Sequence, residues 1–533
     1  MRMVLLTAAA CAAAIGVFYH EGLAASGLDA PVRTTSGLVR ADPTLENGVR
    51  VFRGIPFAAP PVGDRRWKEP AAPAKWEGVR EARTFSKECV QAPSTDPLYS
   101  LYYPTEQPQG EDCLYLNVWT PARSAQDRLA VLVWIYGGGF VLGSGSQPVY
   151  NPVNLAKRGI VAVTFNYRVG IMGFFAHPEL SKESGHDSSG NYGFLDQIAA
   201  LKWVHNNIAA FGGDPNRITI AGHSAGAGSS SVLAVSPLAK GLVHRAIPQS
   251  LAPGRALGNA RRQPRKDVEK AGEVFAAQLG ASSMAELRKK SSAEIMAAPN
   301  ARGFGFGPLV DGYVLPYDVE NSYTNGVAND VQLMVGEVKD TVQLAASGRS
   351  HVTPEDLKKQ VEQQFGARAD EFFRLFPIPP GADGGDVSLK NANDAQGYWR
   401  AWKVAAVHAR HVKSPTYLYY FTRVPPAAMA DYHGVPGATP GAFHGAELSY
   451  MFDNLAYKKW AWTDWDRKLT DIMSSYWLNF INKGDPNGPG LPAWAKFTTT
   501  GQETIQFGDS VAPFRGPREV LNFFEKMPGT VGP

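Results

Sequence analysis

The residues with the clearest chemical potential stand together at Gly222-His223-Ser224-Ala225-Gly226. They follow an apolar, β-branched run at 217–222 and precede a small-residue segment at 225–234 that can begin a helix. In that setting the glycines permit a tight strand-to-helix turn that lifts the serine hydroxyl above the sheet. The helix N-terminus favours negative charge developing beside it. Ser224 is therefore the expected nucleophile. A second element, Tyr136-Gly137-Gly138-Gly139-Phe140, also ends an apolar run. Consecutive glycines leave backbone N–H groups uncovered. The amides of Gly138 and Gly139, with that of Ala225, are expected to form an oxyanion hole. A phosphate cradle would need a following Lys-Ser/Thr or a G-x-G-x-x-G pattern, and neither is there. Of the eleven histidines, His444 lies in a glycine-flanked loop, 441–448, far downstream of the serine. It is the expected base. His408 and His411 are three apart but lack an H-E-x-x-H pattern, so they read as a helix face rather than a metal site. No metal or organic cofactor is required by this chemistry.

Positioning these groups calls for strands that alternate with helices. The runs at 130–136, 160–166, 217–222, 331–336 and 415–421 are apolar, β-branched or aromatic. Continuous runs of this kind suit strands covered on both faces, as in a mostly parallel sheet. The segment 193–211 has apolar residues at helical spacing, with Leu195, Ile198, Ala199, Leu201, Trp203 and Ile208. Strand–helix alternation implies α/β layering. The polar segment 255–290 and the stretch 351–432 read as helical insertions above the sheet. No linker divides the chain, so one large domain over residues 26–533 is expected.

Composition bounds the rest. Apolar residues make up 44% and charged residues 19% of 533 residues, which supplies a large core and excludes disorder as the main state. A net charge of +4 without a Cys/His zinc spacing or RNA-binding motif gives no reason to expect nucleic-acid binding. Residues 1–25 read as an export signal: Arg2, a short apolar run from Val4 to Phe18, then small residues at 22–26. The run is short for a membrane span, and no stable membrane insertion is expected after its removal. An exported, periplasmic or secreted protein follows. Cys11 leaves with the signal, and Cys89 with Cys113 form an even pair in an oxidising compartment, where a disulfide is the natural reading.

Long stretches also resemble the type-B carboxylesterase/lipase family, which includes para-nitrobenzyl esterases and cholinesterases. They are FRGIPFAAPPVGDRRW (52–67), GEDCLYLNVWTP (110–121), WIYGGGF (134–140), NYRVGIMGF (166–174), the whole of 190–226, VDGYVLP (310–316) and FHGAEL (443–448). The resemblance implies an α/β-hydrolase fold, with a curved, mostly parallel mixed sheet and a gorge or lid formed by helical insertions. It implies a serine carboxylesterase acting on small-molecule esters through an acyl-enzyme. It also matches Cys89–Cys113 to the family's first disulfide, and Arg66–Glu111 and Arg168–Asp196 to structural ion pairs.

Two departures stand out. The family usually has Glu before the serine, where this chain has His223. The family's acid is the Glu of a G-x-x-x-D-E-G loop, where this chain reads Gly336-Glu337-Val338-Lys339-Asp340-Thr341-Val342. Thr341 cannot carry the charge, so Asp340 is the first expectation for the acid and Glu337 the second. Residues 90–112 contain no Trp to hold a quaternary ammonium, which argues against choline esters. Relatives of this type act on aryl esters, plant phenolic esters and bulky polyesterified toxins such as fumonisins. His223 and the basic residues Arg255, Arg261, Arg262, Arg265, Lys266 and Lys270 would suit an anionic acyl group; a packing substitution and a solvated helix are the plainer alternatives. A family member that keeps the fold as a binding or adhesion protein without catalysis is the competing reading, and Thr341 is the feature that favours it.

Overall fold

The apolar runs form the middle of a ten-stranded sheet in a computed structural model that describes residues 28, 30–94, 99, 102–251, 264–299, 301, 306–341, 352–426 and 441–526. Its strands are β1 (Arg50–Pro56), β2 (Tyr115–Thr120), β3 (Leu129–Ile135), β4 (Val161–Phe165), β5 (Gly213–His223), β6 (Arg245–Gln249), β7 (Gln332–Val338), β8 (Thr416–Phe421), β9 (Thr504–Phe507) and β10 (Val511–Phe514). They lie in the order β10-β9-β8-β7-β6-β5-β3-β4-β2-β1. Every pairing from β9 through β4 is parallel, and the antiparallel pairs are confined to the two ends. The architecture is that of an α/β-hydrolase, a large mixed sheet flanked by helices. Val131 to Ile135 and Val161 to Phe165 are buried without a break, which is why these strands carry no polar–apolar alternation.

Helices cover the strands. α1 (Tyr192–Asn207) and α2 (Ala225–Val235) pack on each other and on β5, α3 (Gly384–His411) packs on β7 and β8, and α4 (Asp464–Lys483) packs on β3 and β5. The helix expected at 193–211 thus ends at Asn207 and tightens into a 3₁₀ turn, Ile208–Phe211, closed by Gly212 in the left-handed region (φ 79°). The expected insertions hold the helices Arg265–Gln278, Pro354–Phe365, Ala369–Leu375 and α3, but the stretch 351–432 is not all insertion, since Thr416–Phe421 within it is β8 of the central sheet.

The register matters most for chemistry. Ile135 pairs with Gly222, His223 with Gln249, and Gln249 with Gly336. The carboxyl ends of β3, β5, β6 and β7 therefore lie in one row. The loops that leave them meet at one edge of the sheet, where α/β proteins place their sites. A parallel bridge between Asp340 and Phe443 ties the loop after β7 to the loop that carries His444.

Cys89 and Cys113 are joined, with Cα atoms 5.0 Å apart. Both expected ion pairs are formed. Arg66 grips Glu111 through Nε and Nη2, each at 2.6 Å. Arg168 holds the fully buried Asp196 through Nε at 2.8 Å and Nη2 at 2.7 Å, and its backbone N–H adds a third bond at 3.0 Å. No described helix is long and apolar enough to cross a membrane. The expected export signal, residues 1–25, lies outside the described residues.

Candidate active site

Ser224 stands where β5 turns into α2, with φ 59° and ψ −118°, a backbone region that a residue with a side chain seldom adopts. The flanking glycines explain how the chain tolerates it. A Cβ on Gly226 would lie 2.0 Å from the Ile135 carbonyl oxygen, and one on Gly222 would lie 2.5 Å from the Gly226 carbonyl. Only bare backbone lets the turn close this tightly. The Ser224 N–H donates to the Gln249 carbonyl at 2.9 Å, which anchors the elbow to β6.

The glycine loop after β3 packs directly against this turn. A Cβ on Gly137 would lie 2.6 Å from the His223 carbonyl oxygen and 3.0 Å from Ser224 Cβ. Gly138 (φ 111°) and Gly139 (φ 64°) are both left-handed. The Gly138 carbonyl accepts from the Val141 and Leu142 amides at 3.0 and 3.2 Å, which turns the loop back on itself. Among the described residues the Gly138 and Gly139 N–H groups have no protein acceptor. The Ala225 N–H, at the first position of α2, is one of the orphan donors of a helix start.

His444 is brought to the same edge. Its ring centroid lies 4.3 Å from that of His223, the neighbour of Ser224, and His223 stacks in turn on Tyr103 at 6.2 Å. Burial pushes the His444 imidazole down to about 4. Burial, with His444 beside it, holds His223 well below the ordinary histidine range. Both rings are neutral at neutral pH, so His444 is free to accept a proton. No hydrogen bond joins Ser224 Oγ to His444 among the described residues. Contacts of this kind often close only around the substrate.

The structure gives the residues expected for the acid the following partners. Among the described residues Asp340 makes no hydrogen bond to His444. Its Oδ2 accepts from the Ala442 N–H at 2.7 Å, and Lys390 from α3 takes its other oxygen. Lys390 also binds Asp394 at 2.5 Å. The group that meets His444 Nδ1 is the Thr341 hydroxyl, at 3.1 Å. Two buried carboxyls lie nearby. Glu337 at the end of β7 is fully buried; burial pushes it up to about 8, against the opposing pull of the Val338 N–H, the Arg400 guanidinium and the Thr341 hydroxyl, while Glu447 adds to the rise. Glu447, three residues after His444, accepts from Ser250 Oγ at 2.7 Å, and burial raises it to about 7. Glu337 had a signal in the sequence, a carboxylate inside an otherwise apolar strand. The contact of Thr341 with His444 had none.

Two of the basic groups expected to receive an anion are paired with carboxylates. His223 is neutral, Arg265 pairs with Asp187 and Glu269, and Lys270 pairs with Glu273. Arg255, Arg261 and Arg262 lie outside the described residues.

A strained serine on a strand–helix elbow, faced by bare glycine amides and a neutral buried histidine, places the molecule among the α/β-hydrolases. Comparison with known proteins narrows the class. The model of the carboxylesterase family matches residues 29–374 and 389–520, and the chain belongs to that family. It is 36% identical to a fumonisin B1 esterase of Sphingopyxis macrogoltabida over 91% of this chain and 87% of that protein. It is 34% identical to the para-nitrobenzyl esterase of Bacillus subtilis over 89% of this chain and 94% of that protein. A solved PNB esterase superposes with a TM-score of 0.76 at 32% identity, covering 92% of this chain and 98% of the other. By family the chain is a carboxylic ester hydrolase.

Proposed function

We propose that the protein is an exported serine carboxylesterase, one α/β-hydrolase unit after a signal at residues 1–25, which cleaves esters through an acyl-enzyme on Ser224. The observation that carries this reading is the elbow: Ser224 at φ 59°, packed against the Gly137 backbone. His444 takes the hydroxyl proton as Ser224 Oγ attacks the ester carbonyl. The amides of Gly138, Gly139 and Ala225 stabilise the tetrahedral oxyanion, each donor worth about 3–4 kcal/mol. His444 then protonates the departing alkoxide, and later activates the water that hydrolyses the acyl-enzyme. The protonated intermediates need His444 to become an imidazolium in a buried place, so a compensating negative group is part of the scheme.

Bulky polyesters of the fumonisin type are the substrates to screen first, alongside neutral aryl esters. The relative named for fumonisin B1 supports that order. The paired state of Arg265 and Lys270 gives no support for a carboxylate-binding subsite on that segment. The competing reading is a binding protein on the same fold, and Thr341 at the acid position is the observation behind it. Hydrolysis of para-nitrophenyl acetate by the wild type and by Ser224→Ala separates the two. The esterase reading expects a loss of at least ~10³-fold in kcat. Equal, negligible turnover in both proteins would favour the binder.

A further inference from the structure

We propose that Glu337 supplies the negative charge of this site and acts on His444 through the hydroxyl of Thr341, an inference that rests on the Ser224–His444 reading above. The residue at the family's acid position is too short and neutral to do the work alone, but a hydroxyl can accept one hydrogen bond and donate another. With Nε2 left to take the serine proton, the neutral ring carries its hydrogen on Nδ1, which then donates to Thr341 Oγ1 across 3.1 Å. The Thr341 hydroxyl hydrogen is then free to point at a second acceptor.

The geometry points to Glu337 as that acceptor. Its Oε1 takes the Val338 N–H at 3.0 Å, while Oε2 is buried and, among the described residues, has no hydrogen-bond partner. Thr341 and Glu337 converge on Gly397 of α3: a Cβ there would lie 3.0 Å from Thr341 Cγ2 and 3.4 and 3.6 Å from Glu337 Cγ and Cδ. The missing side chain at Gly397 leaves the space in which the two meet. Asp340 is the poorer candidate: among the described residues it has no hydrogen bond to His444 or Thr341, and its two oxygens are held by Lys390 and the Ala442 amide. An isolated carboxyl fully buried at a strand end is costly to keep for stability alone, which suits a residue retained for chemistry.

In this arrangement no proton reaches Glu337. The Nδ1 proton stays on His444 and the hydroxyl proton stays on Thr341, while the carboxylate stabilises the imidazolium through the polarised hydroxyl. Glu337 and Thr341 are therefore positioning residues. The ionised form of Glu337 is the effective one. The groups that set its titration are Arg400 from α3, Glu447 ahead of the short helix Leu448–Met451, Tyr419 and Tyr420 from β8, and the Thr341–His444 pair itself. Arg400 favours ionisation and Glu447 opposes it.

The test uses para-nitrophenyl acetate turnover of the full chain from pH 6 to 10, with thermal melting as the fold control. Wild-type kcat is expected to rise through about pH 8, where Glu337 ionises. Glu337→Gln should lower kcat at alkaline pH by roughly 10²-fold, less than the 10⁴-fold lost when a directly bonded acid is neutralised. It should leave KM near normal and abolish the rise near pH 8. Thr341→Val should lose as much, Thr341→Ser should keep most of the activity, and the double variant Glu337→Gln/Thr341→Val should be no worse than either single change, as expected for groups acting as a unit. Glu337→Gln/Thr341→Glu, which puts a carboxylate beside His444 again, should recover turnover. The relay is overturned if Glu337→Gln keeps the wild-type kcat and pH profile, if the two losses multiply, or if Glu447→Gln removes the pH step instead. Turnover that survives Ser224→Ala overturns the underlying reading and the relay with it.

Discussion

Replacing Gly226 by Ala adds one methyl group at the tightest point of the elbow. That carbon would stand 2.0 Å from the Ile135 carbonyl oxygen and 2.9 Å from both the Ile135 carbonyl carbon and the Tyr136 carbonyl oxygen. Unstrained C···O contacts lie at about 3.3 Å or more, so the backbone must open by roughly 1 Å. The atoms in the way belong to β3 and the start of the glycine loop, and neither is a flexible side-chain tip. Both the serine and the oxyanion donors are therefore displaced together. A 1 Å misplacement of reacting groups costs on the order of 10²-fold in rate. The Gly226→Ala variant should thus lose about 10²-fold in kcat on para-nitrophenyl acetate, and its rate of labelling by a phosphonate should fall in parallel. Far-UV circular dichroism should remain native, because the strain sits at the sheet edge. A folded Gly226→Ala enzyme with kcat within threefold of wild type would refute the claim that close packing of β3 on the elbow shapes the site.

Other outcomes follow from the same contacts. The Cys89–Cys113 bridge closes a loop of 24 residues' separation, so its reduction should cost about 3 kcal/mol in the chain-entropy model, and an alkylating reagent should find no free thiol in the unreduced mature chain. Arg168→Met should destabilise the fold by about 3–5 kcal/mol by leaving the buried Asp196 unpaired, read as a lower urea midpoint without loss of the active-site geometry in the surviving fraction. Glu337 has a folded-state value raised to about 8 from an ordinary 4.5. Its neutral form is the one the fold prefers, so its contribution to stability is present below pH 4.5 and is lost as pH rises through 8. Glu337→Gln should therefore melt like wild type at pH 5 and at a higher temperature than wild type at pH 9, even as it loses turnover; equal melting at pH 9 would contradict the burial of that carboxylate.

The central sheet was legible because its strands are covered on both faces and so are written as unbroken apolar runs. The segments 130–136, 160–166, 217–222, 331–336 and 415–421 all became strands to within a few residues. Strands β1, β2, β6, β9 and β10 were not singled out; β6 is central, but its five residues, RAIPQ, carry Arg, Pro and Gln and break the apolar run. RVFRGIP and VAPF mix polar residues, glycine or proline with apolar ones, and half-covered edge strands lack the continuous signal. Ser224, the glycine loop and His444, which the structure places at one edge of the sheet, could be singled out because each stands in a local backbone pattern of a few residues. The choice between Asp340 and Glu337 could not be made there, since the surroundings of each depend on distant partners. Lys390, fifty positions away on α3, binds the Asp340 carboxylate, and a Cβ on Gly397 of the same helix would meet both Thr341 and Glu337. Neither effect is visible in the seven residues of the loop itself.

Ester cleavage by this route requires Ser224 as the attacking group, and covalent capture tests that most directly. Incubating the protein with a para-nitrophenyl phosphonate ester should release one equivalent of nitrophenol, abolish ester hydrolysis, and leave a single phosphonyl adduct on the peptide that contains Ser224. An adduct on another serine, or full inactivation with Ser224 unmodified, would contradict the assignment.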